Sequence, residues 1–474
     1  MMNFKKYSPG IMAVILFLSL FFHGCTTVGP DFKAPKVETP DQFHHTLKGE
    51  AKTISDLKWW KLFEDPILFQ LVNTALENNK TVKMALSSIE QSRAELGFYK
   101  ADEYPAIGIS GGLSTGNFSG ARSQDTNSNA YLAPMLNWEL DFWGKFKRST
   151  EAAKQRLAAS EYGLRTIQIA LITDVVSTYY LLLDYHQRLA ISKETFVSRS
   201  KSLDIIQQRF DKGIIPEIDV NQAQIQKAIA SGSIPKYERS IGNVENVLSI
   251  LMGQLPREIQ QGESLAHQTI PPFIPAAIPS QLLERRPEIL EAMAQLKAQN
   301  EQIGIAVAER FPAISLTGLL GVASSDLGVI TSNGGIWSVG AGLFGPLYDF
   351  DKSKRRVDIQ TELTKQAVYR YENIVLIAFT EVEDALIEIE TYQRELESVR
   401  QKVTAAKNAN SLSFERYDKG VSDYLEVLDS ERTLFSAQLE LSELKRNYFN
   451  SYVKLYKALG GGWLDKSEEK ADQE

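Results

Sequence analysis

The chain has 474 residues, 43% hydrophobic and 23% charged, with a formal net charge of −7, so it can bury sizeable cores and its mild acidity argues against a nucleic-acid surface. Five histidines and a single cysteine leave little material for metal or nucleophile chemistry. His23 falls in an N-terminal leader, His44 and His45 in a polar lead, and only His186 and His267 in the body; no metal-ligand spacing, phosphate-cradling glycine loop or Ser-His-Asp order is present.

Lys5 and Lys6 precede an apolar run from Ile11 to Phe22, too short for a permanent bilayer span and of the length of a signal-peptide core. The run ends at Phe22-His23-Gly24-Cys25. This resembles the lipobox of bacterial lipoproteins, with Phe22 at the usual Leu position; an ordinary secretory signal with a chance cysteine is the alternative. The resemblance implies a signal peptide over 1–24, S-diacylglycerol and N-palmitoyl groups on Cys25, and, with Thr26 rather than Asp following, delivery to the outer membrane. One acylated residue binds a membrane reversibly, so a second attachment is expected elsewhere.

Residues 25–58 are Pro-rich and polar and read as an extended lead. The folded part opens at Trp59-Trp60, and Asp65-Pro66 predicts a helix start, since proline costs no hydrogen bond at the first helical position. That helix is expected to run to about Tyr99. From Ile107 to Gly116 larger residues alternate with Gly and Ser, the period of a strand. After a polar loop, Tyr131 to Phe142 forms a second strand, with Leu132, Leu136, Trp138, Leu140 and Phe142 on one face and Asn137, Glu139 and Asp141 on the other.

The pattern then recurs. Ile314, Leu316, Leu320 and Val322 oppose Ala313, Ser315, Thr317 and Gly321, and Trp337, Val339, Ala341 and Leu343 alternate with Ser338, Gly340 and Gly342. Four strands of about ten residues, apolar on one face and small or polar on the other, match a transmembrane barrel, whose closed form needs about eight strands or more, so several chains must contribute. The alternative is a soluble sheet packed on helices.

Between and after the hairpins, Lys145–Phe210 and Lys352–Tyr417 contain no proline. Each tract of roughly 65 residues would be about 100 Å long as one helix, which outruns a globular core. The tracts that follow carry a seven-residue apolar recurrence: Val427, Leu434, Leu441, Tyr448 and Leu455 with Ala437, Leu444, Ser451 and Ala458, and less regularly Val220, Lys227, Ile234, Ile241 and Leu248. Lys227 breaks the earlier seam, and Pro235 is expected to interrupt its helix.

The two halves are copies. Arg209-Phe210-Asp211-Lys212-Gly213-Ile214 returns as Arg416-Tyr417-Asp418-Lys419-Gly420-Val421, and the same interval separates Tyr104-Pro105-Ala106-Ile107 from Phe311-Pro312-Ala313-Ile314. The expected division is a first repeat over 59–260, with a hairpin near 104–142, a second over 261–463, with a hairpin near 311–347, and a polar tail over 464–474. The 59 acidic residues always offer carboxylate pairs for a wall-lytic hydrolase, but nearly all lie on helical tracts, where a solvated face accounts for them.

Trp59-Trp60, Asp65-Pro66-Ile67-Leu68, Asn78-Asn79, Leu282-Leu283-Glu284-Arg285-Arg286-Pro287-Glu288-Ile289, Phe311-Pro312, Gly342 to Asp349 and Lys457-Ala458-Leu459-Gly460-Gly461-Gly462-Trp463 together resemble the outer-membrane factors of tripartite efflux systems, the TolC/OprM-like channels in their NodT-type lipoprotein branch. Two positions depart from that family: Glu288 stands where Asp is usual, and Tyr348-Asp349-Phe350-Asp351-Lys352 replaces a Gly-containing turn. The resemblance implies a homotrimer with a twelve-stranded transmembrane β-barrel, four strands per chain, continued by a long periplasmic α-helical barrel. It implies no cofactor and no enzyme activity. It implies as partners a periplasmic adaptor (membrane fusion) protein, an inner-membrane RND-type transporter and outer-membrane lipid. The exported material would be small molecules such as drugs; a duct for type I protein secretion and a periplasmic coiled-coil scaffold without a pore are the alternatives. Carried over by position, the periplasmic gate would comprise Leu425, Asp429 and Arg432, with Asp219 as its acidic candidate in the first copy. A ring of symmetry-related carboxylates attracts cations, and an apolar ring shuts a pore by dewetting. Asp429 and Arg432, three apart, also fit an ordinary helix-surface ion pair.

Overall fold

The computed structural model describes residues 27–38, 40, 42–45, 65–116, 127–269, 279–324 and 335–461. The leader, Cys25, Trp59-Trp60, both hairpin tips, Trp463 and the tail from 464 lie outside the described residues. The elements in chain order are α1 (Pro66–Asn78), α2 (Lys80–Ala101), β1 (Ala106–Gly116), β2 (Asn127–Leu140), α3 (Lys145–Asp211) and α4 (Glu217–Leu251), followed by α5 (Pro279–Arg285), α6 (Pro287–Ala308), β3 (Ala313–Ser324), β4 (Gly335–Phe344), α7 (Lys352–Asp418) and α8 (Tyr424–Ala458). The chain forms two compact units, one of 1–36, 88–161 and 291–372, the other of 37–87, 162–290 and 373–474.

The first unit holds one antiparallel sheet in the order β1-β2-β3-β4. Its register puts Ile107 opposite Leu136, Leu136 opposite Gly318 and Gly318 opposite Val339, while Leu320 meets Trp337 and Ile314 meets Leu343. Directly opposed residues share a face, so Ile107, Ile109, Leu113, Leu132, Trp138, Leu316, Val322 and Val339 fall together, and Ser110, Asn137, Ser315, Thr317, Gly340 and Gly342 fall on the reverse. The apolar face is open: Ile107 is 77% exposed, Leu113 75% and Val339 82%. Gly321 is required for close approach, since a Cβ there would meet Leu132 O at 2.4 Å.

β2 ends at Leu140, short of Phe142, because the next residue turns to capping. Asp141 accepts from Phe146 N at 3.1 Å and from Lys147 N at 2.8 Å, opening α3, and Asp349 accepts from Ser353 N at 2.9 Å, opening α7. The turn before α3 uses Gly144 at φ 78°, whereas the one before α7 puts Phe350 at φ 52° and Asp351 at φ 64°. The departure from a Gly-containing turn thus leaves two side-chain-bearing residues left-handed, at about 1–2 kcal/mol each. In the same unit Arg148, 6% exposed, donates to Glu301 at 2.7 Å and to Gly29 O at 3.4 Å.

The second unit is helical. Its core gathers Leu68, Val72 and Ala75 of α1, Val175, Tyr179, Tyr180 and Leu183 of α3, Leu248 of α4, Val382, Leu386 and Ile389 of α7, and Phe449, Val453 and Leu455 of α8; Tyr180 stacks on Phe449 with centroids 4.7 Å apart. Asp65 caps α1, accepting from Ile67 N and from Leu68 N, and its other oxygen takes the Tyr179 hydroxyl at 2.7 Å and Gln268 Nε2 at 2.9 Å. The single helix expected from Pro66 to Tyr99 is two. Asn79, at ψ 132°, breaks it, because its side chain caps α2 through Thr81 N at 2.8 Å and also donates to Leu251 O at 2.8 Å. Pro235 does not interrupt α4, which runs through it. Pro235 and Ser231, whose carbonyl loses its helical donor, are both on the exposed side, where water can take the freed group.

Arg286 explains the Arg-Arg-Pro-Glu motif. Only 2% exposed, it donates to Glu288 at 2.7 Å, to Glu381, and to the carbonyls of Ala378 and Ala458, tying the start of α6 to α7 and to the end of α8.

Candidate functional site

α3 and α7 end in matching turns. Gly213, at φ 72°, donates to Phe210 O at 2.7 Å and Ile214 to Arg209 O at 3.0 Å; Gly420, at φ 70°, donates to Tyr417 O at 3.0 Å and Val421 to Arg416 O at 2.9 Å. This is a Schellman stop, whose left-handed residue favours glycine. The chain reverses and restarts at once: Pro216 precedes α4, and Asp423 caps α8 by accepting from Glu426 N at 3.2 Å. Ile206, Val220, Ala223, Tyr417, Tyr424, Val427 and Leu428 then pack the four helix ends together.

A groove of ≈ 660 Å³ opens between Gln222, Ile225 and Gln226 of α4 and Leu425, Asp429 and Arg432 of α8. Three of the four residues singled out by sequence therefore meet on one wall. Leu425 is 62% exposed, and Arg432 donates to Asp429 at 2.7 Å with both side chains mostly in solvent. Such a pair adds only about 0.3–0.5 kcal/mol to the helix, so its charges remain available to the aqueous space beside it. Asp219 is not among the groove-lining residues. It is half-buried in the first turn of α4, and burial, with the Asp423 carboxylate facing it, pushes its pKa up.

Two clusters of buried charge between α3 and α8 escaped the sequence reading. Arg199 of α3 and Glu431 of α8 are 2% and 6% exposed and stand 3.9 Å apart. Asp184, fully buried on α3, accepts from Arg188 at 2.8 Å, Arg446 at 3.2 Å and Ser442 at 2.5 Å, so it locks α3 to α8. The signal was available, since Tyr424, Val427, Leu428, Glu431 and Phe435 form one helical stripe with a carboxylate inside it. Among the described residues no group of three or more His, Cys, Asp or Glu is placed to hold a metal.

Residues 71–254 and 278–461 match the family described as OEP, Outer membrane efflux protein. The solvent efflux pump outer membrane protein SrpC of Pseudomonas putida is 34% identical over 464 residues, covering 94% of this chain and 97% of that protein. The probable outer membrane lipoprotein SilC of Salmonella typhimurium is 30% identical over 448 residues, covering 93% and 96%. Among solved structures, the open state of the Neisseria gonorrhoeae MtrE outer membrane channel superposes with a TM-score of 0.84 at 27% identity, covering 92% of this chain and 98% of that one. Such neighbours are trimeric channels with a β-barrel and an α-helical barrel, and this chain has their fold, with four strands among the described residues. With that fold, with an open apolar sheet face, and with relatives over nearly its whole length, the chain belongs to the outer membrane efflux protein family and is an outer-membrane efflux channel, not an enzyme.

Proposed function

We propose that three copies form a passive exit duct for small molecules, its periplasmic end closed by Leu425, Asp429 and Arg432 of α8 together with Asp219 of α4, and driven by a periplasmic adaptor and an RND-type inner-membrane transporter. The sheet carries this reading: it has one apolar and one polar face, and among the described residues neither β1 nor β4 has a partner on its outer edge. An open edge is excluded from lipid, so each β4 pairs with β1 of the next copy and the polar face lines a lumen. At the helix ends, three copies of the groove wall put an apolar side chain and a carboxylate in successive rings, an arrangement that bars ions until α8 moves. The near identity of this wall to a surface ion pair does not oppose the role, because solvent-facing charges are what a ring requires.

The lead past Cys25 fits a lipid anchor, with S-diacylglycerol and N-palmitoyl groups as its chemistry, and the likeness to a named outer membrane lipoprotein supports it. The two family blocks support division into repeats over 59–260 and 261–463. The test is dye accumulation in Gram-negative cells lacking their own channel but holding a compatible adaptor and pump. The wild-type chain is expected to lower accumulation several-fold. Unchanged accumulation with protein trimeric in the outer membrane would overturn the small-molecule reading and favour protein secretion.

A further inference from the structure

The gate reading uses the solvent side of α8, yet the buried side carries a charge of its own. Glu431 Oε2 faces Arg199 Nε at 3.9 Å, beyond hydrogen-bond reach, and neither atom has a hydrogen-bond partner. Glu431 Oε1 meets only the Ser202 hydroxyl, at 3.4 Å. Arg199 is better served, donating from Nη1 to Gln226 O of α4 at 2.8 Å and lying over the Phe435 ring at 5.1 Å. A carboxyl and a guanidinium have thus both left water without forming the bonds that normally offset that loss.

The surroundings leave Arg199 as the cation acting on Glu431. From α3 come Arg199 and Ser202; from α4, Gln226, since the next residue, Lys227, is turned to the Phe196 ring at 5.8 Å; from α8 itself, Tyr424, which faces both members of the pair; and beyond Tyr424, Tyr417 of α7 and Asp219 of α4. Glu431 lies next to Arg432 and two residues from Asp429, on the same rigid helix. Any motion that carries the groove wall away from α3 therefore brings Glu431 and Arg199 into water.

We propose that Glu431 is a positioning residue of the gate: its neutral carboxyl lets α8 lie against Arg199 with the wall closed, and its ionisation favours the separated, open arrangement. This inference rests on the gate reading above. Burial pushes the Glu431 pKa above its ordinary 4.5, with Arg199 opposing more weakly. The buried, closed state therefore binds the proton more tightly than the solvated, open one. Its advantage is full below the ordinary carboxylate pKa and is lost as pH rises through the raised value, so lowering the pH favours the closed channel and raising it favours the open one.

The test is single-channel recording of the purified trimer in planar bilayers from about pH 4.5, near the ordinary carboxyl value, to about pH 8. Wild type is expected to open several-fold more often at the upper end. Glu431→Gln, nearly isosteric and always neutral, is expected to stay at the acid level throughout, while Glu431→Asp restores a rise. A flat wild-type profile, or a rise surviving in Glu431→Gln, overturns the proposal. Asp429→Ala in the same recordings separates the two readings: increased opening there with an unaltered Glu431→Gln profile removes only the positioning role, and no change in Asp429→Ala removes the gate and this inference with it.

Discussion

Single side chains decide whether the long helices stay in register. Arg286 is the sharpest case, because its buried guanidinium joins two carbonyls and the half-exposed carboxylates Glu288 and Glu381 across three helices. Arg286→Ala is expected to destabilise the fold by about 1–3 kcal/mol, through lost charge-assisted hydrogen bonds whose carboxylate partners remain partly in water. A fall in the denaturant midpoint of the folded trimer measures it, and an unchanged midpoint would mean that the motif serves something other than packing. Phe350 tests strain in the opposite direction: Phe350→Gly is expected to stabilise by about 1 kcal/mol, visible as a raised thermal midpoint. How far the sequence reading reached differs residue by residue. Asp65 was visible as part of a helix-start signal, but what it holds was not, since Tyr179 and Gln268 reach it from far along the chain, and Asp141 was read as a strand residue where it is a cap. Arg199 and Glu431 were missed for the same reason, although Glu431 lies inside a stripe of buried, mostly apolar residues on α8.

At the scale of elements, period carried most of the information. Alternation placed all four strands and both faces, with ends shifted by a few residues where Asp141 left the sheet to cap α3. The same alternation yields a paired prediction. Ile109→Lys puts a charge on the lipid side and is expected to cost about 2–4 kcal/mol near mid-membrane, whereas Ser110→Lys on the lumen side is tolerated. Recovery of folded trimer from outer membranes checks both, and equal recovery would contradict the face assignment. Helix ends were harder to place. Asn79 reads as an ordinary helical residue until Leu251 supplies a carbonyl for its amide, and Pro235 reads as a breaker until its neighbours prove to face water. Both outcomes depend on tertiary surroundings that local propensity does not contain.

For the whole molecule, the sequence showed that one chain was not enough: four strands with two free edges call for further copies. At the helix ends the family resemblance named Leu425, Asp429 and Arg432, all within about two turns of α8, while the opposite wall of the groove, Gln222 to Gln226 of α4, lies far off in sequence and was not named. The proposed lipidation at Cys25 belongs to this scale, since it would give the chain a second hold on the membrane. Cys25→Ser is expected to abolish incorporation of labelled palmitate while leaving the trimer folded, and retained label would contradict the anchor. The central claim, a pore closed by its own inner helices, is met most directly by recording single channels from the purified trimer in planar bilayers, wild type beside Asp429→Ala. Rare, discrete openings that become more frequent in the variant are the result expected. No conductance from either protein, with the trimer intact, would contradict the pore itself.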